Sequence, residues 1–425
     1  MATLLALQVS LAALLSIVVL AGAQPEQVHL SYGYDPSQMT VVWSTPNNSS
    51  TTVLYGLTPY NLDSSDTGVC WEFTEDNPDG LHYVHMVVLQ DLIPGTEYWY
   101  VVQSNSYTSE LFHFRTMRQG QIWSLSFIVY GDMGRTGGEP SLPALIQEVA
   151  SGGYDAILHV GDFAYDLDSD GGVNGDGFMN RIQQLAAYVP YMTCPGNHES
   201  GSNFSQYLNR FAMPYDSSPH WYSWNIGNVH FISYSTEVYF NGWGVEEQYT
   251  WLEQDLKDAN TPENRAARPW IIAYGHRPMY CSNLDKDDCN APQPTVRAGL
   301  EHLFFTYGVD IILEAHQHSY ERLWPVYNAT VTALNYNNPK APVHLISGTV
   351  GCNEALGECF DPMLGPKGPW SAYRSWSPFR HGYGRLHVVN DTHIYWEQVI
   401  ASDLNVVDDM WLVQYSHGPF HVETV

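Results

Sequence analysis

Five times between residues 125 and 318, a short apolar run ends in a cluster of polar, chemistry-bearing side chains. No other feature limits the possible folds of the chain as much. Leu125–Tyr130 runs into Gly131-Asp132-Met133-Gly134, Ala156–Val160 into Gly161-Asp162-Phe163-Ala164-Tyr165, and Pro190–Cys194 into Gly196-Asn197-His198-Glu199. Trp270–Tyr274 runs into Gly275-His276, and Val309–Leu313 into Glu314-Ala315-His316-Gln317-His318. Helical stretches are predicted over Ser141–Ala150, Gly177–Tyr188, Gln248–Ala259 and Val296–Tyr307, and one more apolar strand over Val229–Tyr234. Strands alternating with helices of this size form parallel βαβ units, so an α/β domain with helix-flanked sheets is predicted for residues 123–425. In open α/β sheets ligands bind beyond the carboxyl ends of the strands, so clusters far apart in sequence can meet in space.

Before Trp123 the pattern is different. Gln27–Ser31, Met39–Trp43, Tyr83–Val88, Tyr98–Val102 and Leu111–Arg115 are short alternating runs separated by turn residues, which predicts an all-β sandwich over residues 24–116. The stretch Leu92-Ile93-Pro94-Gly95-Thr96-Glu97-Tyr98-Trp99-Tyr100 resembles the corner before a late strand of fibronectin type III domains, and residues 117–122 read as the linker.

Composition narrows the partners. With 45 acidic against 17 basic residues the formal charge is -28, and polyanions such as nucleic acid or an anionic membrane surface would be repelled. The apolar fraction of 44% is enough to fill a core, which excludes a disordered chain. Leu4–Ala23 is almost wholly apolar and ends in Ala21-Gly22-Ala23, the pattern of a signal peptide over residues 1–23 cleaved before Gln24. An uncleaved anchor is the other reading, and no later run has the length of a membrane span. Sequons at Asn47, Asn48, Asn203, Asn328 and Asn390 fit a secreted glycoprotein, extracellular or lysosomal. Of the six cysteines, the close pairs Cys281/Cys289 and Cys352/Cys359 are each spaced to staple a loop, while Cys194 reads as a buried thiol.

The residues at the five strand ends suit metals better than an acid–base pair. They comprise three histidines, two aspartates, an amide oxygen and a phenol, and three histidines favour zinc, iron or a related transition metal over calcium or magnesium. His316 and His318 are two apart on an extended segment and so share a face. Two metals about 3.5 to 4 Å apart are the usual device for in-line displacement at phosphorus. Singly, each piece has a structural reading: Gly-Asp-x-Gly as a turn, Asn-His-Glu as a helix cap, Tyr165 as a core residue. Together, in order and each after a strand, they point to a site.

At these residues the chain resembles the metallophosphoesterases. Within them, Tyr165 three residues after Asp162, and Ser319-Tyr320-Glu321-Arg322 after the last histidine, resemble the purple acid phosphatases with a fibronectin-like front domain. The resemblance implies an acid phosphatase that hydrolyses phosphate monoesters or phosphoproteins. Asp132, Tyr165 and His318 would hold one metal, Asn197, His276 and His316 the other, and Asp162 would bridge them. The first group has two anionic ligands of its own and suits Fe(III); the second is neutral and suits divalent Zn, Fe or Mn. The implied reaction is attack on phosphorus by a metal-activated hydroxide, with His198 stabilising the phosphoryl group as a catalytic residue and Glu199 accepting hydrogen bonds behind the ligands. The chain departs from the pattern at Ala315, where the family usually has Gly. It departs again between Arg277 and Cys289, where plant members carry histidines and this chain has none, leaving the proton donor to the leaving group unassigned; His302, on a predicted helix, reads as structural. Two other readings of these residues are a Zn/Mn phosphodiesterase of the same fold and a secreted binding protein with a vestigial site.

Overall fold

A computed structural model describes residues 24–74, 82–121, 123–215, 218–283, 287–351, 366–375 and 381–421. The predicted signal segment, residue 122 of the linker and the Cys352/Cys359 pair lie outside the described residues.

The front of the chain is a sandwich of antiparallel strands: β1 (Glu26–Tyr32), β2 (Met39–Thr45), β3 (Thr52–Gly56), β4 (Ser64–Thr67), β5 (Val69–Phe73), β6 (His82–Leu89), β7 (Glu97–Ser104), β8 (Tyr107–Thr108) and β9 (Phe112–Arg115). One sheet runs β1-β2-β6-β5; the other runs β4-β3-β7-β8, with β9 also on β7. Alternating residues such as Val41, Trp43, Tyr100 and Val102 fill the space between them. The buried Trp43 indole N–H is paired, donating to Ser104 Oγ at 3.0 Å.

The second part begins with β10 (Leu125–Tyr130), α1 (Leu142–Ala150), β11 (Ala156–Val160), α2 (Val173–Ala186), β12 (Tyr191–Cys194) and α3 (Ser205–Arg210). There follow β13 (Tyr222–Ile226), β14 (Val229–Ser233), α4 (Val238–Asn241), α5 (Val245–Ala259), α6 (Pro262–Ala267), β15 (Trp270–Tyr274), α7 (Thr295–Thr306) and β16 (Ile311–Glu314). The chain closes with β17 (Tyr320–Leu323), β18 (Val326–Tyr327), β19 (Thr330–Val331), β20 (Val343–Ser347), β21 (Ser371–Arg374), β22 (Gly382–Asn390), β23 (His393–Ile400) and β24 (Val406–Val413). Two mixed sheets result, ordered β12-β11-β10-β22-β23-β24 and β13-β14-β15-β16-β20-β17-β21. The strands predicted for this part all pair in parallel, β10 with β11 and β11 with β12 in the first sheet and β14-β15-β16 in the second; β20, which the sequence did not suggest, extends the second ladder in parallel with β16.

Period-two alternation divides the second sheet between two cores. Phe231, Ile272, Tyr274, Ile311 and Leu313 face the first sheet, where the Phe231 ring meets Phe127 edge-on with centroids 4.9 Å apart. Ile232, Tyr234, Ile271, Ala273 and Ile312 face the other way, onto Leu252 and Leu256 of α5 and Leu300 and Phe304 of α7. On the outer side of the first sheet, the ring of His159 lies 6.1 Å from that of Phe178 on α2. The layers are therefore helix, sheet, sheet, helix, and each fully buried aromatic or aliphatic side chain contributes roughly 1.5 to 3 kcal/mol. A polar clamp ties the sheets together at their far ends: Arg322 of β17 donates from Nε and Nη2 to the Asp408 carboxylate of β24 at 2.6 and 2.7 Å, beside the Tyr320 hydroxyl at 2.7 Å.

Helix α2 starts at Val173, four residues before the expected Gly177. Gly175 and Gly177 lie inside its first turns. A Cβ at Gly175 would meet the Leu167 carbonyl at 2.6 Å and one at Gly177 the Arg135 guanidinium at 2.3 Å, so both keep the helix close to its neighbours. The sandwich docks on this helix. Val28 N–H donates to Gln183 Oε1 at 2.8 Å, and the Tyr100 hydroxyl to the Ala187 carbonyl at 2.7 Å.

Near this contact His29 is buried with Nδ1 on the Gln27 carbonyl, and burial pushes its pKa down to about 4. The unfolded chain therefore binds a proton that the folded chain does not between about pH 6.5 and pH 4, and stability falls as pH falls through that window. Thermal melts of His29→Leu are expected to show a smaller drop in Tm between pH 7 and pH 4.5 than the parent.

Candidate metal centre

All five polar clusters reach one edge. Gly131 N–H donates to the Ser347 carbonyl at 2.9 Å, Asp132 N–H to the Gly161 carbonyl at 3.1 Å, and Gly275 N–H to the Leu313 carbonyl at 3.1 Å. The last two bonds continue the parallel β10-β11 and β15-β16 ladders past the strand ends, while the first joins the end of β10 to that of β20 in the other sheet. The backbone then turns sharply: Asp132, Asp162, Tyr165, Asp166 and His316 all lie in the left-handed region, with φ between 53° and 67°. Non-glycine residues held there cost about 1 to 3 kcal/mol each and cluster at functional sites. Gly161, at φ 77°, has no alternative, because a Cβ would land 2.5 Å from His276 Nδ1. Gly131 gives room to Ala315, whose Cβ would lie 2.4 Å from a Cβ at that position, so the small change from the family pattern is accommodated.

The seven predicted residues fall into two groups. In the first, the Tyr165 hydroxyl lies 2.6 Å from His318 Nε2 and 3.3 Å from Asp132 Oδ1. In the second, His276 Nε2 lies 3.1 Å from Asn197 Oδ1, 3.1 Å from Asp162 Oδ2 and 3.2 Å from His316 Nδ1. Backbone amides tie the carboxylates down: His316 N–H donates to Asp132 Oδ2 at 2.9 Å and His198 N–H to Asp162 Oδ1 at 3.1 Å. Glu199 takes the place expected of it, accepting from the N–H groups of Asp162, Phe163 and Gly196 at 2.9, 3.0 and 2.8 Å. His198 stands at the rim, its ring 4.6 Å from that of Tyr165 and its Nδ1 2.9 Å from Asp166 Oδ1. His302 is remote on α7, bonded to the Tyr327 hydroxyl at 2.9 Å. Asn174, at the start of α2, donates to the carbonyls of Ala164, Tyr165 and Asp166 at 3.0, 3.1 and 3.0 Å and so holds the loop that carries the phenol.

The donor chemistry asks for a cation. His276 Nδ1 is 2.9 Å from the Val160 carbonyl, which can only accept, so Nδ1 carries the proton and Nε2 offers a lone pair. That lone pair faces a carboxylate oxygen, an amide oxygen and another imidazole nitrogen, all acceptors. A metal ion satisfies every one of them, and without it a proton must do so. Accordingly, although burial pushes the His276 pKa down, the Asp162 carboxylate beside it holds it above the usual histidine range. Burial likewise pushes Asp162 up, but the surrounding imidazoles keep it well below the usual carboxylate range.

Sequence reading missed Asp287, Arg277 and Glu237. Asp287 Oδ2 lies 2.6 Å from His316 Nε2, and Arg277 runs alongside with Nη1 3.4 Å from Asp287 Oδ1 and Nε 2.9 Å from Glu237 Oε1. A charged residue outside a strand-end cluster carries no periodic signal, and only the absence of histidine after His276 drew attention to this stretch. The Cys281–Cys289 disulfide is formed, and Cys194 is buried and free.

Carboxylates, imidazoles, an amide and a phenol at the C-terminal ends of strands in paired mixed sheets define a metallophosphoesterase. Residues 125–320 match the family model of calcineurin-like phosphoesterases, residues 25–116 that of the purple acid phosphatase N-terminal domain, and residues 341–409 that of the iron/zinc purple acid phosphatase-like protein C. The chain is 48% identical over 420 residues to acid phosphatase type 7 of Danio rerio, covering 94% of this chain and 93% of that protein. It is 47% identical over 414 residues to acid phosphatase type 7 of Homo sapiens, covering 93% and 92%. Its fold is similar to that of a purple acid phosphatase isolated from yellow lupin (Lupinus luteus) seeds, with a TM-score of 0.78 at 24% identity over 92% of this chain and 75% of that one. The chain belongs to the purple acid phosphatases.

Gly161→Ala is expected to displace His276 and so to lower the metal content of purified protein, with a stability loss of about 1 to 3 kcal/mol in a denaturant titration.

Proposed function

We propose that this phosphatase hydrolyses phosphate monoesters at mildly acidic pH, with Fe(III) held by Asp132, Tyr165 and His318, divalent Zn, Fe or Mn held by Asn197, His276 and His316, and Asp162 shared between them. The observation that carries the reading is the convergence of acceptor atoms on His276 Nε2, which leaves one place that only a cation or a proton can fill. The division of charge supports the assignment: the first group contains a carboxylate and a phenol, the second only neutral donors apart from the shared Asp162. The description of the C-terminal family model as iron/zinc agrees with it. When bound, such a pair supplies the positive charge that lowers the pKa of water and neutralises phosphate oxygens.

The chain's own residues do the rest. Glu199 fixes the backbone of Asp162, Phe163 and Gly196 through three accepted hydrogen bonds, so the segment that carries the shared carboxylate is held in place. His198, one-fifth exposed and oriented by Asp166, has its Nε2 edge at the open rim 3.9 Å from Asp162 Oδ2, where it donates to a phosphoryl oxygen. The acidic chain works as a sandwich domain, 24–116, linked through 117–122 to a catalytic domain, 123–425, and the excess of carboxylates disfavours nucleic acid and anionic membranes as partners. Among the described residues no helix is long and apolar enough to cross a membrane. Secretion after cleavage at Ala23 fits the exposed positions of Asn47, Asn48, Asn203, Asn328 and Asn390 and the Cys281–Cys289 bridge.

Purified protein is expected to hydrolyse an aryl phosphate between pH 4 and 7 and to show a visible absorption band that disappears in Tyr165→Phe. A colourless, fully active zinc protein would overturn the iron assignment, and inactivity after metal loading would overturn the phosphatase reading. Asp162→Asn is expected to lose both metals together in elemental analysis; retention of a full equivalent of either one contradicts the shared role.

A further inference from the structure

The carboxylate of Asp287 is the least expected neighbour of the site, and every acceptor position on it is used. Oδ2 lies 2.6 Å from His316 Nε2 and accepts from Gln317 Nε2 at 2.6 Å. Oδ1 accepts from Asp288 N–H at 2.7 Å and faces Arg277 Nη1 at 3.4 Å. Arg277 Nη1 is also 3.0 Å from His316 Nε2, so that ring nitrogen has a donor and an acceptor competing for it. The carboxylate oxygen is closer, and a lone pair on Nε2 at 2.6 Å from it would be repelled. Nε2 therefore carries the proton, and Nδ1, 3.2 Å from His276 Nε2, is the nitrogen left with a lone pair directed at the centre of the second group.

We infer that Asp287 is a positioning residue that fixes the tautomer and ring orientation of His316, and through it the affinity of the divalent position, without touching the trivalent one. The inference rests on the two-metal reading above. Its selectivity follows from geometry: Asp287 meets His316, which belongs with His276 and Asn197, while the Tyr165, Asp132 and His318 group is fixed by Asn174 and by the His316 backbone amide. The loop that delivers the carboxylate is closed by the Cys281–Cys289 bridge. It is braced on both sides, by Ser282 N–H donating to Glu321 Oε2 at 3.0 Å and by Asp288 accepting from Thr295 N–H at 2.7 Å at the start of α7. Arg277, paired with Glu237, flanks Asp287 and holds it against the ring.

The test is metal binding by the full-length protein, with zinc titrated into the iron-loaded form and the visible band recorded beside it. Asp287→Ala is expected to weaken zinc binding by about 10- to 100-fold while the band keeps its position and intensity. Asp287→Asn, which retains an oxygen to accept from Nε2, is expected to recover most of the loss. It also serves as the readout if the alanine variant fails to fold. Unchanged zinc affinity in the alanine variant, equal loss of iron and zinc, or an asparagine variant as weak as alanine would each overturn the inference. Failure of the parent protein to take up two metals would overturn the two-metal reading instead, so the two failures are distinguishable.

Discussion

The hydrogen bond from His276 Nδ1 to the Val160 carbonyl determines the chemistry of the whole edge. It joins a side chain that follows the second sheet to the backbone of the first, in a fully buried position where no water can substitute. With the proton committed there, the other nitrogen must meet whatever Asp162, Asn197 and His316 present, and they present only acceptors. A cluster of this kind is unfavourable alone, because buried lone pairs facing one another lose hydration without gaining a partner. A cation, or in its absence a proton on His276, makes the same arrangement favourable.

Holding that arrangement requires rigid supports, and the alternation of the two sheets provides them. Phe231, Ile272 and Leu313 are locked between the sheets, Ile232, Ala273 and Ile312 against the helices, so the strands that end in His276 and His316 are packed on both faces. The strained turns that follow, at Asp132, Asp162 and His316, are then overdetermined: their backbone amides already pair with the next loop or with a neighbouring carboxylate. Strain at these positions is the cost of aiming seven side chains inward from short loops.

What the sequence revealed follows from the range of each signal. Strands β10, β11 and β15 are legible to the residue because continuous apolar runs bounded by Gly131, Gly161 and Gly275 mark both ends, and the site residues are legible because they follow immediately. The antiparallel strands β22 to β24 were not anticipated: their alternation is interrupted by Gly384 and by charged Arg385 and Asp408, which pair with Glu148 on α1 and Arg322 on β17, far away in the chain. Asp287 was invisible for the same reason, since its role exists only once the loop from Cys281 to Cys289 is folded beside His316.

The docking of the sandwich on α2 bears on how the two parts of the molecule can vary. The helix that receives Val28 and Tyr100 carries at its first turn Asn174, whose amide holds the three carbonyls around Tyr165. The front domain is therefore a buttress standing one helix behind the phenol. Recombining this catalytic part with a foreign front domain would demand a match at α2, whatever the length of the linker.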